Sequence, residues 1–243
     1  MHDCGSVLRI KYLPFSPKHP IGIFRVFISD ETFHCLVTKT LFLIRHGLGF
    51  HQTESFVGGW SDVGLTDHGK KQAALVADRL SHLVTGEVIL LSSDLRRALQ
   101  TAEPIAKRLG VEIMVREDLR EICQGVVEGM PRSEAAKLKA PMHPEVLDWR
   151  PYEGAETWRE LDVRIRKFIA WLERHPAKRF VIVSHHQTIV AIIQNWLRLH
   201  DDQKGGIYFS LRNCSLTILQ EIDNQRVIVA LNDLKHLDEE HRL

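Results

Sequence analysis

The chain has 243 residues, 44% hydrophobic and 26% charged, an ordinary globular composition that allows one large α/β domain or two small ones around a sizeable core. A formal net charge of +1 gives no reason to invoke nucleic acid or a membrane surface as partner, so any anion site must be local. Cys4, Cys35, Cys123 and Cys214 lack CxxC spacing and the density of a disulfide scaffold. No apolar run approaches the roughly 18 to 20 residues of a membrane helix, and no signal-peptide order is present, so a soluble cytoplasmic protein is expected.

Residues 1–39 carry Pro14, Pro17 and Pro20 without a sustained helical period and read as an appended leader to a domain spanning 40–243. From Thr40 on, strand and helix patterns alternate. Thr40 to Ile44 is a β-prone run, followed by an apolar stripe of Ala73, Val76, Ala77, Leu80 and Leu83 behind a Thr66 cap. A strand at Val88 to Leu91 precedes a second stripe, Leu95 to Leu109, with a kink expected at Pro104. A strand at Val111 to Val115, a helix over 157–174, a strand at Phe180 to Val183 and a helix over 188–199 complete the pattern. Continuous apolar strands separated by helices predict a buried parallel sheet.

Right-handed crossovers put the C-terminal ends of parallel strands along one edge, where open α/β sheets bind ligands. Arg45 and His46 follow the first strand, Ser92 to Arg97 the second, and His185 the fourth, while Glu121 sits in a loop soon after the third. Singly, each has a bland reading. Arg96 and Arg97 could be a solvated helix face, Glu121 a loop carboxylate beside Arg120, and His185 and His186 a capping and a surface histidine. Jointly they supply two guanidiniums, a carboxylate and two imidazoles, the kit for taking a phosphoryl group onto a histidine and passing it to water.

With LFLIRHG, SSDLRRALQTAEPIA, LREICQGVVEG and VSHHQ, and with GGWSDVGLTDHGKKQA, YEGAETWRELDVRIRKF and NCSLTILQ besides, the chain resembles the histidine phosphatase superfamily, the phosphoglycerate mutase-like family, from about Thr40 to His236. The resemblance implies a three-layer α/β/α sandwich around a mixed, mainly parallel sheet. It makes His46 the phosphoryl acceptor and Glu121 the proton donor, and gives Arg45, Arg97 and His185 the task of holding phosphate. The activity implied is hydrolysis of a small phosphorylated metabolite without metal or other cofactor, and the patterning sets no oligomeric state. The alternatives are a mutase-type isomerase or a catalytically weak phosphate-binding member. A metal hydrolase using His46, His51, His185 and His186 is opposed by the arginines that a cation would meet. Val37 directly precedes TKTLFLIRHG, which is how many chains that this one resembles begin just after their initiator; the resemblance implies a native start at codon 37, valine standing for a misread alternative initiator, with residues 1–36 dispensable.

The chemistry sets three requirements. His46 needs one unprotonated ring nitrogen, its other nitrogen held by a carbonyl or similar acceptor. A protonated His185 would add positive charge to the guanidiniums, and Glu121 needs a raised pKa. Departures from the family pattern fall on the substrate side. Gln52 stands where asparagine is usual and keeps an amide for substrate, Phe56 stands where arginine is frequent, and His186 replaces a common glycine, either as a leaving-group contact or as a surface residue. The segment from Met130 to Trp158, with Met142, His143, Trp149 and Trp158, is expected to cover the pocket, and suits a sugar phosphate, a nucleotide or a cofactor precursor. LREICQGVVEG lacks the charged loop of the cofactor-dependent mutases, which favours hydrolysis.

Overall fold

Alternation in the first strand sets the architecture. In β1 (Val37–Arg45), Leu41 and Leu43 face one side of the sheet and Phe42 and Ile44 the other, and all four are buried, so both faces need a layer of helices. The computed structural model describes residues 37–239 and 241, and the expected leader, residues 1–36, lies outside them. After β1 the chain runs through α1 (Phe50–Thr53), α2 (Asp67–Leu83), β2 (Ile89–Ser92), α3 (Arg96–Leu109), β3 (Ile113–Val115), α4 (Arg132–Lys137) and α5 (Trp158–Arg174). It continues through β4 (Arg179–Ser184), α6 (His186–Trp196), α7 (Asp201–Lys204), β5 (Leu216–Ile222) and β6 (Gln225–Asp233).

The six strands lie in the order β3-β2-β4-β1-β5-β6. Pairing is parallel from β3 to β1 and antiparallel on either side of β5, which is the mixed, mainly parallel sheet of an α/β sandwich. Helices α2 and α3 bury Ala73, Val76, Leu80, Ala98 and Ile105 against Phe42, Ile44, Val181 and Val183. On the other face α5 and α6 bury Ile165, Phe168, Ile189 and Ile193 against Leu41, Leu43, Phe180 and Ile182. The Thr66 hydroxyl accepts from the Gly69 N–H at 3.0 Å and starts α2. Thr157 and Glu160 form a reciprocal capping box on α5. Such caps are each worth about 1 kcal/mol.

The expected elements shift at three ends for local reasons. Strand β3 begins at Ile113 because Gly110 takes a left-handed φ of 67° and Val111 N–H turns back to Ala106 O at 3.1 Å. Helix α6 begins at His186 and stops at Trp196, ahead of Arg198 with its φ of 57°. Helix α3 continues through Pro104. The closing β5–β6 hairpin was not read from periodicity; it turns at Asp223 and Asn224, φ 49° and 64°, the left-handed pair of a two-residue hairpin turn. No helix among the described residues is long and apolar enough to cross a membrane.

Register then positions the site. Arg45 lies opposite Ser184, and Ser92 opposite Val183, so β1, β4 and β2 end almost level and the residues just beyond them meet.

Candidate active site

His46 leaves the end of β1 with its N–H donating to Ser184 O at 2.9 Å, and the residue is 2% exposed. Its Nδ1 lies 2.8 Å from Gly47 O. A carbonyl only accepts, so Nδ1 carries the proton and Nε2 keeps its lone pair. Burial, then the Arg97 and Arg45 charges and His51, hold the imidazole well below the ordinary histidine pKa. The ring is therefore neutral at physiological pH, as attack on phosphorus requires. Glycine at 47 is a packing necessity, since a Cβ there would stand 2.5 Å from Gly69 O in the first turn of α2.

Arg97, in the first turn of α3, is 1% exposed. Its Nη1 donates to Ser61 O at 2.9 Å, its Nη2 to Gly59 O at 2.7 Å and its Nε to His185 Nδ1 at 3.2 Å. The GGWSD stretch thus serves as a carbonyl cradle for a buried guanidinium. Arg45 donates from Nη1 to Leu211 O at 2.6 Å, while its buried Nε has no partner among the described residues. Both guanidiniums retain N–H groups beyond those bonds, as an oxyanion site needs.

His185 differs from its expectation. Its Nδ1 accepts from Arg97, which leaves Nε2 to carry the proton and to donate to Ser93 Oγ at 2.9 Å. Burial and the Arg97 charge push its pKa well below the ordinary value, so the structure holds a neutral rather than a protonated imidazole. It is fully buried, with its ring centroid 5.1 Å from that of His46. In this arrangement it orients Arg97.

Glu121 sits on a loop braced from several sides. Its main-chain carbonyl accepts from Trp60 Nε1 at 2.6 Å and Arg164 Nη2 at 3.3 Å, and Arg164 Nη1 also reaches Asp118 O and Arg120 O at 2.8 and 2.9 Å. Glu156 holds Arg164 at 2.8 Å and accepts from Cys123 N–H at 2.9 Å. Trp60, Glu156 and Arg164 come from GGWSD and YEGAETWRELDVRIRKF, so those segments act here by fixing the carboxylate's loop. Burial raises the Glu121 pKa, against the Ile122 N–H at 3.0 Å and the Arg97 and Arg45 charges, which lower it. Such a carboxyl can hold a proton for a leaving group.

Arg45, His46, Arg97, Glu121 and Gln52 line one cavity of about 270 Å³. The Gln52 amide, on the cavity wall, also pairs with Asn213: Nε2 donates to Asn213 Oδ1 and Oε1 accepts from Asn213 Nδ2, each at 3.0 Å. Asn213 also donates to His46 O at 2.9 Å, so the longer amide secures the His46 loop. His186 is not on this wall. Its Nε2 lies 3.1 Å from Phe209 O and its ring stacks on Tyr208. Burial and Arg45 lower its pKa to about 4.

Four further wall residues, Gln124, Arg132, Tyr152 and Gln187, lie in segments that the sequence pointed to but were not individually marked by it. Arg132 follows Pro131, which pairs with Phe56, so a guanidinium stands next to the residue facing the position where arginine is frequent. His51, its ring centroid 5.7 Å from that of His46, is pushed down to about 3 by burial and three arginines. Among the described residues no three His, Cys, Asp or Glu side chains are grouped to hold a metal ion.

The sequence model of the histidine phosphatase superfamily (branch 1) matches residues 41–234. The chain belongs to this superfamily. Among relatives of this histidine phosphatase-superfamily protein is the "Probable phosphoglycerate mutase GpmB" of Photorhabdus laumondii, 32% identical over 213 residues, covering 82% of this chain and 94% of the relative. Among solved structures, mycobacterial glucosyl-3-phosphoglycerate phosphatase superposes with a TM-score of 0.68 at 25% identity, over 81% of this chain and 99% of that one. Phosphoserine phosphatase of Entamoeba histolytica, solved with 3-phosphoglyceric acid, superposes with a TM-score of 0.68 at 26% identity, over 82% and 98%. The superfamily thus includes relatives named as mutases and as phosphatases.

Proposed function

We propose that this protein hydrolyses phosphate monoesters through a phosphohistidine formed on Nε2 of His46, without a metal ion. The observation that carries the reading is the His46 ring. Its Nδ1 proton is held by Gly47 O at 2.8 Å, its pKa is depressed, and it shares a cavity with two guanidiniums and a carboxyl of raised pKa. In the first step the Nε2 lone pair forms the N–P bond, the P–O ester bond breaks, and the proton of Glu121 goes to the departing oxygen. In the second, Glu121 takes a proton from water, the new O–P bond forms, and the N–P bond breaks to release phosphate and neutral His46. Arg45 and Arg97 balance charge on the equatorial oxygens, a task that metal ions perform in other phosphoryl-transfer enzymes. His185 keeps Arg97 aligned.

A mutase is the second reading, favoured by the 32% identity to a relative named as a probable phosphoglycerate mutase. Product analysis separates the two. Hydrolysis yields inorganic phosphate and the free alcohol, whereas a mutase interconverts phosphoglycerates. Quenched protein should carry an acid-labile, base-stable phosphoryl group on His46, EDTA should leave turnover intact, and vanadate should inhibit. Interconversion without phosphate release would establish the mutase, and activity lost to EDTA and restored by Zn²⁺ or Mg²⁺ would overturn the metal-free mechanism.

A further inference from the structure

A second cavity, of about 330 Å³, shares Ile122, Gln124, Tyr152 and Gln187 with the phosphate cavity, so the two adjoin. Its character is different. Trp149, Trp158, Tyr152, Tyr208, Leu147 and Ile207 make much of its wall. Val146, Ile207 and Tyr208 stay 49%, 39% and 60% exposed, an apolar rim of the kind that marks a binding groove.

Its charges are largely committed. Lys204 pairs with Asp162 at 2.7 Å, both side chains 3% exposed, and Glu156 pairs with Arg164 at 2.8 Å. Lys139 lies with Nζ 4.8 Å from the ring centroid of Trp149. Two buried polar atoms are not committed. Trp158 Nε1 and Gln194 Oε1, both on lining residues, have no hydrogen-bond partner among the described residues. The orientation of Gln194 is settled, because its Nε2 donates to Ile207 O at 2.7 Å and to Lys204 O at 3.2 Å. Both atoms are closed off from solvent and lie behind the wall, so the box beside the phosphate cavity offers a ligand chiefly aromatic and aliphatic surface.

We propose that this box binds the leaving group, and that the substrate is a phosphate monoester of an alcohol bearing a planar aromatic or heteroaromatic ring. The proposal rests on the hydrolase reading above and names its substrate class. A short anionic alcohol such as glycerate would leave the box unfilled and bring a carboxylate toward Glu156, whereas a ring buries apolar area against the tryptophans and tyrosines. A nucleoside and a plain arene share that chemistry, and the choice of esters separates them.

The test uses the full chain and four monoesters of primary alcohols: 2-(1-naphthyl)ethyl phosphate, adenosine 5′-monophosphate, butyl phosphate and 3-phosphoglycerate. At least one ring ester should exceed butyl phosphate and 3-phosphoglycerate in kcat/KM by about tenfold or more. Either ring ester leading supports the box, and which of them leads tells a heteroaromatic from a plain arene. Trp149→Ala and, separately, Tyr208→Ala should each narrow the ring-to-butyl ratio. Phosphate release without ring preference, or a ratio that neither variant moves, overturns the proposal and leaves the hydrolase standing. Calorimetric titration with 2-(1-naphthyl)ethanol and adenosine reads the box independently of turnover. Binding of either without hydrolysis of any ester would reject the hydrolase and keep the box, and neither binding nor turnover would reject both.

Discussion

The two ends of the site are built differently. At the phosphate end, side chains hang from the level ends of β1, β2 and β4 and are tied to main-chain carbonyls: His46 to Gly47, Arg97 to Gly59 and Ser61, and Arg45 to Leu211. At the aromatic end, the wall comes from the stretches 138–158 and 201–209, mostly loops and short helices. Its deepest anchor is the buried Lys204–Asp162 pair, with Asn195 bonded to both partners. On the proposed reading the reacting groups thus sit just beyond the strand ends and on the braced Glu121 loop, and selection on the outer loops, as precise placement of reacting groups demands more rigidity than recognition of a ring.

That contrast can be broken most directly at His46. His46→Ala removes the nucleophile, so turnover should fall by at least ~10⁴-fold on every monoester, ring or not, with no phosphoenzyme trapped. Retained turnover on one class of ester would mean that the two ends are not divided in this way.

Glu121→Gln should cost alkyl monoesters about 10²- to 10⁴-fold and p-nitrophenyl phosphate much less, because that leaving group needs little protonation. The pH profile gives the same test with a sign. Glu121 must be protonated and its pKa is raised, so kcat/KM on alkyl esters should fall as pH rises through that value. His46 must be unprotonated and its pKa is depressed, so the acid limb should lie well below the ordinary histidine range. An unshifted alkaline limb in Glu121→Gln would reassign the proton donor.

At the other end, Asp162→Asn leaves Lys204 buried beside a neutral amide and should destabilise the fold by about 3 kcal/mol, read by denaturant unfolding at neutral pH. Burial would raise the Asp162 carboxyl, but Lys204, Asn195 and Arg166 outweigh it and hold the pKa below 3.8. The stabilisation is therefore complete above 3.8 and lost as pH falls through the lower folded value, so parent and variant should converge in acid. Parallel curves down to low pH would show that the pair is not the anchor. The smallest effect belongs to residues 1–36: their deletion should leave unfolding midpoint and turnover unchanged, and loss of soluble protein would reject the leader reading.

The sequence by itself determined the alternation of apolar strands and helices, and with it the convergence of Arg45, His46, Arg97, Glu121 and His185, because parallel crossovers leave little freedom in where strand ends meet. It also indicated burial on both faces for the strands, which holds for β1, β2 and β4 but not for β3, whose place at the sheet edge leaves Met114 and Val115 44% and 50% exposed. The β5–β6 hairpin escaped pattern reading because Asp-Asn is a weaker turn signal than Asn-Gly and β6 is partly exposed along its length. Protonation was decided only in the tertiary structure: a histidine near phosphate-binding arginines reads as a cation until Arg97 Nε is seen donating to His185 Nδ1. The pairing of Gln52 with Asn213, 161 residues away, is likewise decided only by packing. The aromatic box depends on distant loops brought together by packing and one buried ion pair, and neither period nor spacing encodes which face of a loop a tryptophan will line.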